Sequence, residues 1–352
     1  MNTALLHLRY AQFLVIFLLS AFLYTISQSQ PSNIAQLENN LWNRRFLITS
    51  FTRLRLNLGD RVFPQVLVGN EGWLEFTQSA NLDSYQNASL ISPEKTENIQ
   101  QNLQKLYKQL QKRNITLLLI IPPNKATIYP DKLPGEIQKL NPQSNLDTFS
   151  AYIAEHGPPV FVDLRPALQN GRQQQDVYYE TDTHWNGYGL FIAYTEIMNE
   201  LSKTYPSLAP KTIEDFRVTT TKIYPHDLAR ILGATDIVEP GMKFTPKKDN
   251  DIHWKKLNND MVVPMQVSET SNENLPRLLI YADSFGVTLQ DYIAPHFSKT
   301  TFVYNHSRYH NLISLQTIDT IKPDIVIIEM IERSFDVEYL KDFLKQILSN
   351  QP

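Results

Sequence analysis

Ser284 stands where an apolar run, Arg277-Leu278-Leu279-Ile280-Tyr281-Ala282, stops at Asp283-Ser284 and Gly286 opens a helical pattern. A serine at a strand-to-helix turn has its hydroxyl held at the edge of a sheet, near the positive end of a helix. That position suits a nucleophile. Such a serine needs a base for its proton, and the base needs an orienting group. The stretch Thr181-Asp182-Thr183-His184-Trp185-Asn186 offers both, in an aromatic loop that leads into a helix. In an extended segment residues two apart face the same way. Asp182 can therefore hold the imidazole of His184 while its other nitrogen faces Ser284. Asp251 and His253 share the spacing, but their stretch is highly charged and reads as solvated. A serine with a histidine for its base and an aspartate to orient it points to acyl transfer through an acyl-serine. The backbone N–H of Ser284 is a candidate donor to the developing oxyanion. No side-chain amide follows the strand at Asp324; Glu329-Met330-Ile331-Glu332-Arg333 stands there instead. Arg333, Tyr309 and Asn305 are candidates for lining the substrate site, with a salt bridge to Glu329 or Glu332 as the plain alternative for Arg333. His306 and His310 are four apart, yet no second pair of ligands accompanies them. No metal and no cofactor are expected.

These side chains need a scaffold that brings position 184 to position 284. From Glu94 onward, helical patterns alternate with short apolar runs. Helices are expected over Glu94–Lys112, Leu146–Glu155, Gly187–Leu201, Val287–Ile293, Ile313–Ile321 and Val337–Leu348. Strands are expected over Leu117–Ile121, Val160–Asp163, around Leu278, over Thr301–Tyr304 and over Asp324–Ile328. This rhythm implies an α/β fold whose largely parallel sheet is covered on both faces. Ligands of such sheets sit at the carboxyl ends of the strands, where Ser284 lies. Val66 to Phe76 reads as a hairpin around a glycine-containing turn. Residues 218–274 break the rhythm and read as a polar insertion on the side of the active site, a lid or flap.

Composition sets outer limits. A chain of 352 residues with 42% hydrophobic and 20% charged residues is long enough for one large domain or two moderate ones. The net charge of −3 gives no general attraction to nucleic acid. Without a cysteine, thiol catalysis, disulfides and zinc-thiolate sites are excluded. Tyr10–Ser27 is almost wholly apolar, Arg9 precedes it, and no acidic residue occurs before Glu38. About 20 apolar residues span a bilayer. The expectation is an uncleaved anchor with its N-terminus on the cytoplasmic side. Residues 31–61 then form a stalk helix decorated by Arg44, Arg45, Arg53 and Arg55.

Several stretches together resemble the SGNH-hydrolase-like domain of the alginate O-acetylation proteins AlgJ and AlgX, which is similar in architecture to the D-alanyl transfer protein DltD. They are Asp182-Thr183-His184-Trp185-Asn186 and Tyr281-Ala282-Asp283-Ser284-Phe285-Gly286, with Val68-Gly69-Asn70-Glu71-Gly72-Trp73-Leu74 and Ile121-Pro122-Pro123-Asn124-Lys125. Asp227-Leu228-Ala229-Arg230-Ile231-Leu232-Gly233 and Lys322-Pro323-Asp324-Ile325-Val326-Ile327-Ile328-Glu329 complete the set. The resemblance implies a flavodoxin-like three-layer domain over residues 62–352, after an anchor over 1–30 and the stalk. It implies Asp182, His184 and Ser284 as a catalytic triad. It also implies an extracytoplasmic, membrane-anchored O-acetyltransferase acting on an exopolysaccharide or cell-surface glycan, with a membrane-bound O-acyltransferase as partner. An acetyl esterase with the same triad, or a non-catalytic polysaccharide-binding scaffold, is the alternative. Where the family usually has glycine, this chain has Ala282, which is tolerable if its φ is negative.

Overall fold

The apolar runs alternate in the faces they present, and that alternation builds the molecule. The computed structural model describes residues 3–29, 44–78, 81–222, 226–247, 252–257, 265–304, 314–335 and 339–348. Strands β1 (Val66–Val68) and β2 (Leu74–Phe76) form a separate antiparallel hairpin. Strands β3 (Thr116–Ile120) and β4 (Phe161–Val162) belong to the main sheet. Strands β5 (Phe216–Lys222) and β6 (Pro240–Pro246) form a second antiparallel ribbon. The remaining strands are β7 (Lys255–Lys256), β8 (Met265–Glu269), β9 (Arg277–Ala282), β10 (Lys299–Tyr304) and β11 (Ile325–Glu329). They complete a main sheet of order β4-β3-β11-β9-β10-β8-β7. Its first five strands run parallel, and β8 and β7 close one edge antiparallel.

Side chains on a strand point alternately to opposite faces. On one face Leu118, Ile120, Leu278, Ile280, Phe302, Ile325 and Ile327 pack against the helices Gly187–Ser202 and Ser284–Ile293. On the other, Leu117, Leu119, Leu279, Tyr281, Val303, Val326 and Ile328 meet the helices Pro93–Gln111, Asn145–His156, Leu315–Ile321 and Tyr339–Leu348. The helix Pro93–Gln111 shows how the sequence sets these elements. Ser92 accepts the Lys95 N–H at its start, Pro93 takes the first position, and Ile99, Leu103, Leu106 and Leu110 form the buried stripe. Each such side chain contributes roughly 1.5–3 kcal/mol on burial.

The region expected as a single insertion divides. Only β5 and β6, with the helix Asp227–Leu232 between them, stand outside the main sheet. β8 instead pairs with β10 from Lys299↔Glu269 to Val303↔Met265. An unpaired strand edge presents a row of bare amides and carbonyls, and β8 supplies partners for the edge of β10.

At the N-terminus a helix spans Thr3–Ser29, and its Phe17 ring meets Phe46 of the helix Arg44–Asn57 at 5.7 Å. The latter helix docks on the domain. Thr52 Oγ1 donates to the Leu232 carbonyl at 3.0 Å, and Arg53 Nε reaches Asp236 at 2.9 Å. Among the described residues no helix is long and apolar enough to cross a membrane. The membrane span expected for the N-terminal segment is therefore not found there.

Candidate active site

β9 is the fourth of seven strands, flanked by β11 and β10. The chain leaves β9 for β10 on one side and returns to β11 on the other. A crevice forms outside the carboxyl ends of strands where the order reverses in this way. Ser284 is the first residue of the helix that starts there. Asp283 caps that helix, accepting the Phe285 N–H at 2.9 Å through Oδ1, and its Oδ2 accepts the Ile331 N–H at 2.8 Å. Ala282 ends β9 and is absent from the residues of positive φ. Its methyl packs directly on Gly286, where a Cβ would lie 2.2 Å from the Ala282 Cβ. The pair of small residues is what lets the chain turn this tightly.

Asp182 and His184 lie in the loop before the helix Gly187–Ser202. Asn186 caps that helix, accepting from the Tyr188 and Gly189 amides at 2.9 and 3.0 Å, and Tyr178 bridges to Trp185. At Gly187 a Cβ would sit 1.9 Å from the Met242 carbonyl oxygen, so a larger residue there would push β6 away. The loop carries the imidazole to the Ser284 hydroxyl. His184 Nε2 is 2.8 Å from Ser284 Oγ, and His184 Nδ1 is 2.6 Å from Asp182 Oδ1. The Phe285 ring lies 4.8 Å from the imidazole.

The second oxygen of Asp182 faces Asp227 N at 3.1 Å and His226 Nδ1 at 3.2 Å. Asp227 reciprocates: its carboxylate accepts from Thr183 N at 2.9 Å and from Thr183 Oγ1 at 2.6 Å. Burial pushes the Asp182 carboxyl up, but hydrogen bonds from His184 and His226 and the Asp227 amide outweigh it. The group is held well below the usual carboxylate range, so it is ionised at neutral pH. Glu239 fixes the loop one step earlier, accepting from the amides of Glu180 and Thr181 at 2.8 and 3.0 Å. Beneath it, the buried Lys125 ammonium donates to the carbonyls of Leu74, Tyr179, Glu180 and Asp182.

A cavity of about 620 Å³ opens beside Asp182 and His184, walled by Tyr179, Trp185, Phe244 and Tyr292, with Lys243 and Asp291 as its further charged side chains. Phe244 and Lys243 belong to β6, so the ribbon forms one wall. The ligand atoms of Asp182, His184 and Asp227 lie within 4.8 Å of one another. Both ring nitrogens of His184 are already engaged by Asp182 and Ser284, which leaves none for an ion without breaking the chain of hydrogen bonds.

Of the expected substrate-site residues, Arg333 starts beyond the carboxyl end of β11, on the short helix Glu332–Phe335. Glu332 accepts from Asn124 N and Thr127 Oγ1 at 2.7 and 2.6 Å. Asn305 and Tyr309 lie outside the described residues, as do His306 and His310. His226 was not among the sequence candidates, and Asp227 and Lys125 stood only within the resembling stretches, because their roles come from partners 44 or more residues away.

The family model for the SGNH hydrolase-like domain of acetyltransferase AlgX matches residues 66–254. That segment holds Asp182 and His184 but not Ser284. The chain is 27% identical over 179 residues to a probable alginate O-acetylase AlgJ of Pseudomonas syringae pv. tomato, covering 49% of this chain and 40% of that protein. The same-named protein of Pseudomonas fluorescens is 28% identical over 206 residues, covering 55% and 45%. The chain thus spans less than half the length of these relatives. Among solved structures, Bacillus cereus PatB1 superimposes with a TM-score of 0.60 at 19% identity, covering 79% of this chain and 99% of that one, a likeness of fold. By the extent of the family match, the chain belongs to the family of AlgX-type SGNH hydrolase-like domains.

Proposed function

We propose that this protein is an O-acetyltransferase that modifies hydroxyls of an exported or cell-surface polysaccharide through an acetyl-serine on Ser284. The observation that carries the proposal is the unbroken hydrogen-bonded line from Ser284 Oγ through His184 to Asp182. Its relatives are named as probable alginate O-acetylases.

In this reading His184 Nε2 takes the Ser284 proton as Oγ attacks the carbonyl of an acetyl donor. Asp182 stabilises the imidazolium through Nδ1–H. The oxyanion is met by the Ser284 N–H, which has no partner among the described residues, whereas the Phe285 and Gly286 amides are bound by Asp283 and Glu329. As the tetrahedral centre collapses, His184 returns the proton to the leaving group. A sugar hydroxyl then enters, loses its proton to Nε2 and attacks the acetyl carbon, restoring the Ser284 hydroxyl. Aromatic walls beside His184 suit a sugar ring, since saccharide and cofactor clefts combine apolar surface with a few polar groups. Arg333, Asn305 and Tyr309 are proposed to bind the substrate. A multi-pass membrane-bound O-acyltransferase would supply the acyl group.

We assign the helix Thr3–Ser29 to the membrane, with the remainder extracytoplasmic. At 27 residues it would be about 40 Å long. Phe13, Val15, Ile16, Leu19 and Leu23 are all more than half exposed, which is costly in water and favourable in lipid.

The test is acetate release from a chromogenic acetyl ester by the purified protein, with and without acceptor oligosaccharides. Transfer predicts acetylated sugar at the expense of acetate. Acetate as the sole product would replace the proposal with an esterase, and equal rates for wild type and Ser284→Ala would remove both.

A further inference from the structure

Behind the nucleophile turn lies a carboxyl group that this chemistry does not use. Glu329 is the last residue of β11 and is 0% exposed. Its Oε2 accepts from Asp283 N at 3.0 Å and from Gly286 N at 3.1 Å, so one oxygen ties together the residues on both sides of Ser284. Its Oε1 is buried and meets no donor among the described residues. The neighbouring Asp283 carboxylate is itself spent on backbone amides, accepting from Phe285 N and Ile331 N at 2.9 and 2.8 Å. A fully buried carboxyl thus stands beside the half-buried carboxyl of Asp283, and among the described residues no ion pair reaches either one.

Two ionised carboxylates side by side, one of them wholly out of water, would repel strongly. One proton between them removes that repulsion and turns it into a hydrogen bond. Oε1, the oxygen no amide reaches, is the atom on which the proton fits. Burial first, then the charge and side-chain hydrogen bond of Asp283, push the Glu329 carboxyl well above its ordinary range.

We propose that Glu329 is a neutral acid that shares its proton with Asp283 and is the positioning residue for Ser284, fixing the turn from β9 into the following helix. The inference rests on Ser284 being the nucleophile. Without the clasp, the Asp283 and Gly286 amides lose their acceptor and the hydroxyl drifts from His184 Nε2. With glutamine at 329, the amide oxygen accepts from both backbone groups and the NH2 donates to Asp283, so charge is not needed.

The test uses the full-length protein and a sulfonyl fluoride, with covalent labelling of Ser284 followed by intact mass and Ser284→Ala as the blank. Glu329→Ala should slow labelling by about 100-fold, and Glu329→Gln should restore it to within about threefold of wild type, the scale set by sub-ångström positioning of a reacting group. In parallel, the infrared difference between wild type and Glu329→Gln at neutral pH should contain the C=O stretch of a protonated carboxylic acid. A folded Glu329→Gln protein that labels as slowly as Glu329→Ala would overturn the proposal, as would absence of that stretch. If Glu329→Ala does not fold, the glutamine variant and the infrared band decide. Failure of the wild type itself to label would instead remove the nucleophile on which the proposal rests.

Discussion

Asp182 uses its two oxygens for different purposes: Oδ1 faces His184, and Oδ2 is fixed by the Asp227 amide and His226. In the proposed reaction an asparagine would keep the shape yet offer His184 the wrong hydrogen-bonding partner or release the Asp227 amide. Asp182→Asn should therefore lower acetyl release by about 10³- to 10⁴-fold with the fold intact, measured by initial rates beside circular dichroism. A change of less than tenfold would mean that the carboxylate does not orient the base. Ser284→Ala should reduce the same rate by about a thousandfold or more. At this scale the sequence was informative where partners are local. Asp182 and His184 are two apart, and where an extended segment was expected a bend pairs them, Asp182 Oδ1 meeting both the His184 N–H and Nδ1, so closeness in sequence was enough. The clasp between Asp182 and Asp227 was not legible, because 45 residues, including a helix and β5, separate them.

Elements bring their own constraints. Gly286→Ala would put a methyl 2.2 Å from the Ala282 Cβ and 2.9 Å from Glu329 Oε2. Overpacking of this kind costs about 2 kcal/mol. Thermal or chemical unfolding should show that loss, and adding Ala282→Gly should recover part of it by removing one of the two clashing atoms. An additive double variant would show that the methyls do not meet. His296, in the turn after the helix Ser284–Ile293, is buried and accepts from Tyr194 Oη at 2.7 Å, as Tyr194 itself accepts the Lys211 amide. Burial, helped by the charge of Lys211, lowers its pKa from 6.5 to about 4. The unfolded chain therefore binds the proton more readily than the folded one between those values. Stability is complete above pH 6.5 and falls as pH drops toward 4, by about 3 kcal/mol in total. His296→Gln should flatten that part of the stability profile; an unchanged slope would place the dependence elsewhere. Element identities were legible from periodicity, since strands β3, β9 and β11 are continuous apolar runs and the Pro93–Gln111 helix carries its stripe and cap. The place of β8 was not, because a short strand amid polar residues gives no sign of which edge it will join.

For the molecule as a whole, Lys125 is the fastener. Its ammonium joins the β1–β2 hairpin, through Leu74, to the loop that carries Asp182. Burial pushes its pKa down, and Glu75 and Asp182 oppose that fall. Lys125→Met would strand several buried carbonyls and should cost roughly 3 kcal/mol or more. Unfolding midpoints and hydrogen exchange across residues 74 and 179–182 would report it; protection equal to wild type there would refute the role. If the helix Thr3–Ser29 is the anchor, a chain beginning at Ile34 should leave the membrane fraction on cell lysis, and its retention would point to a second contact with lipid. The sequence by itself determined the rhythm of strands and helices, the turn that presents Ser284, and the Asp-x-His pair, because each depends on contacts within a few residues. Tertiary structure alone decided that the hydroxyl and the imidazole meet, that β6 walls the cleft, and that Glu329, Lys125, His226 and Asp227 brace it. Those contacts are set by the order in which strands join the sheet, and nothing in the local spacing of residues encodes that order.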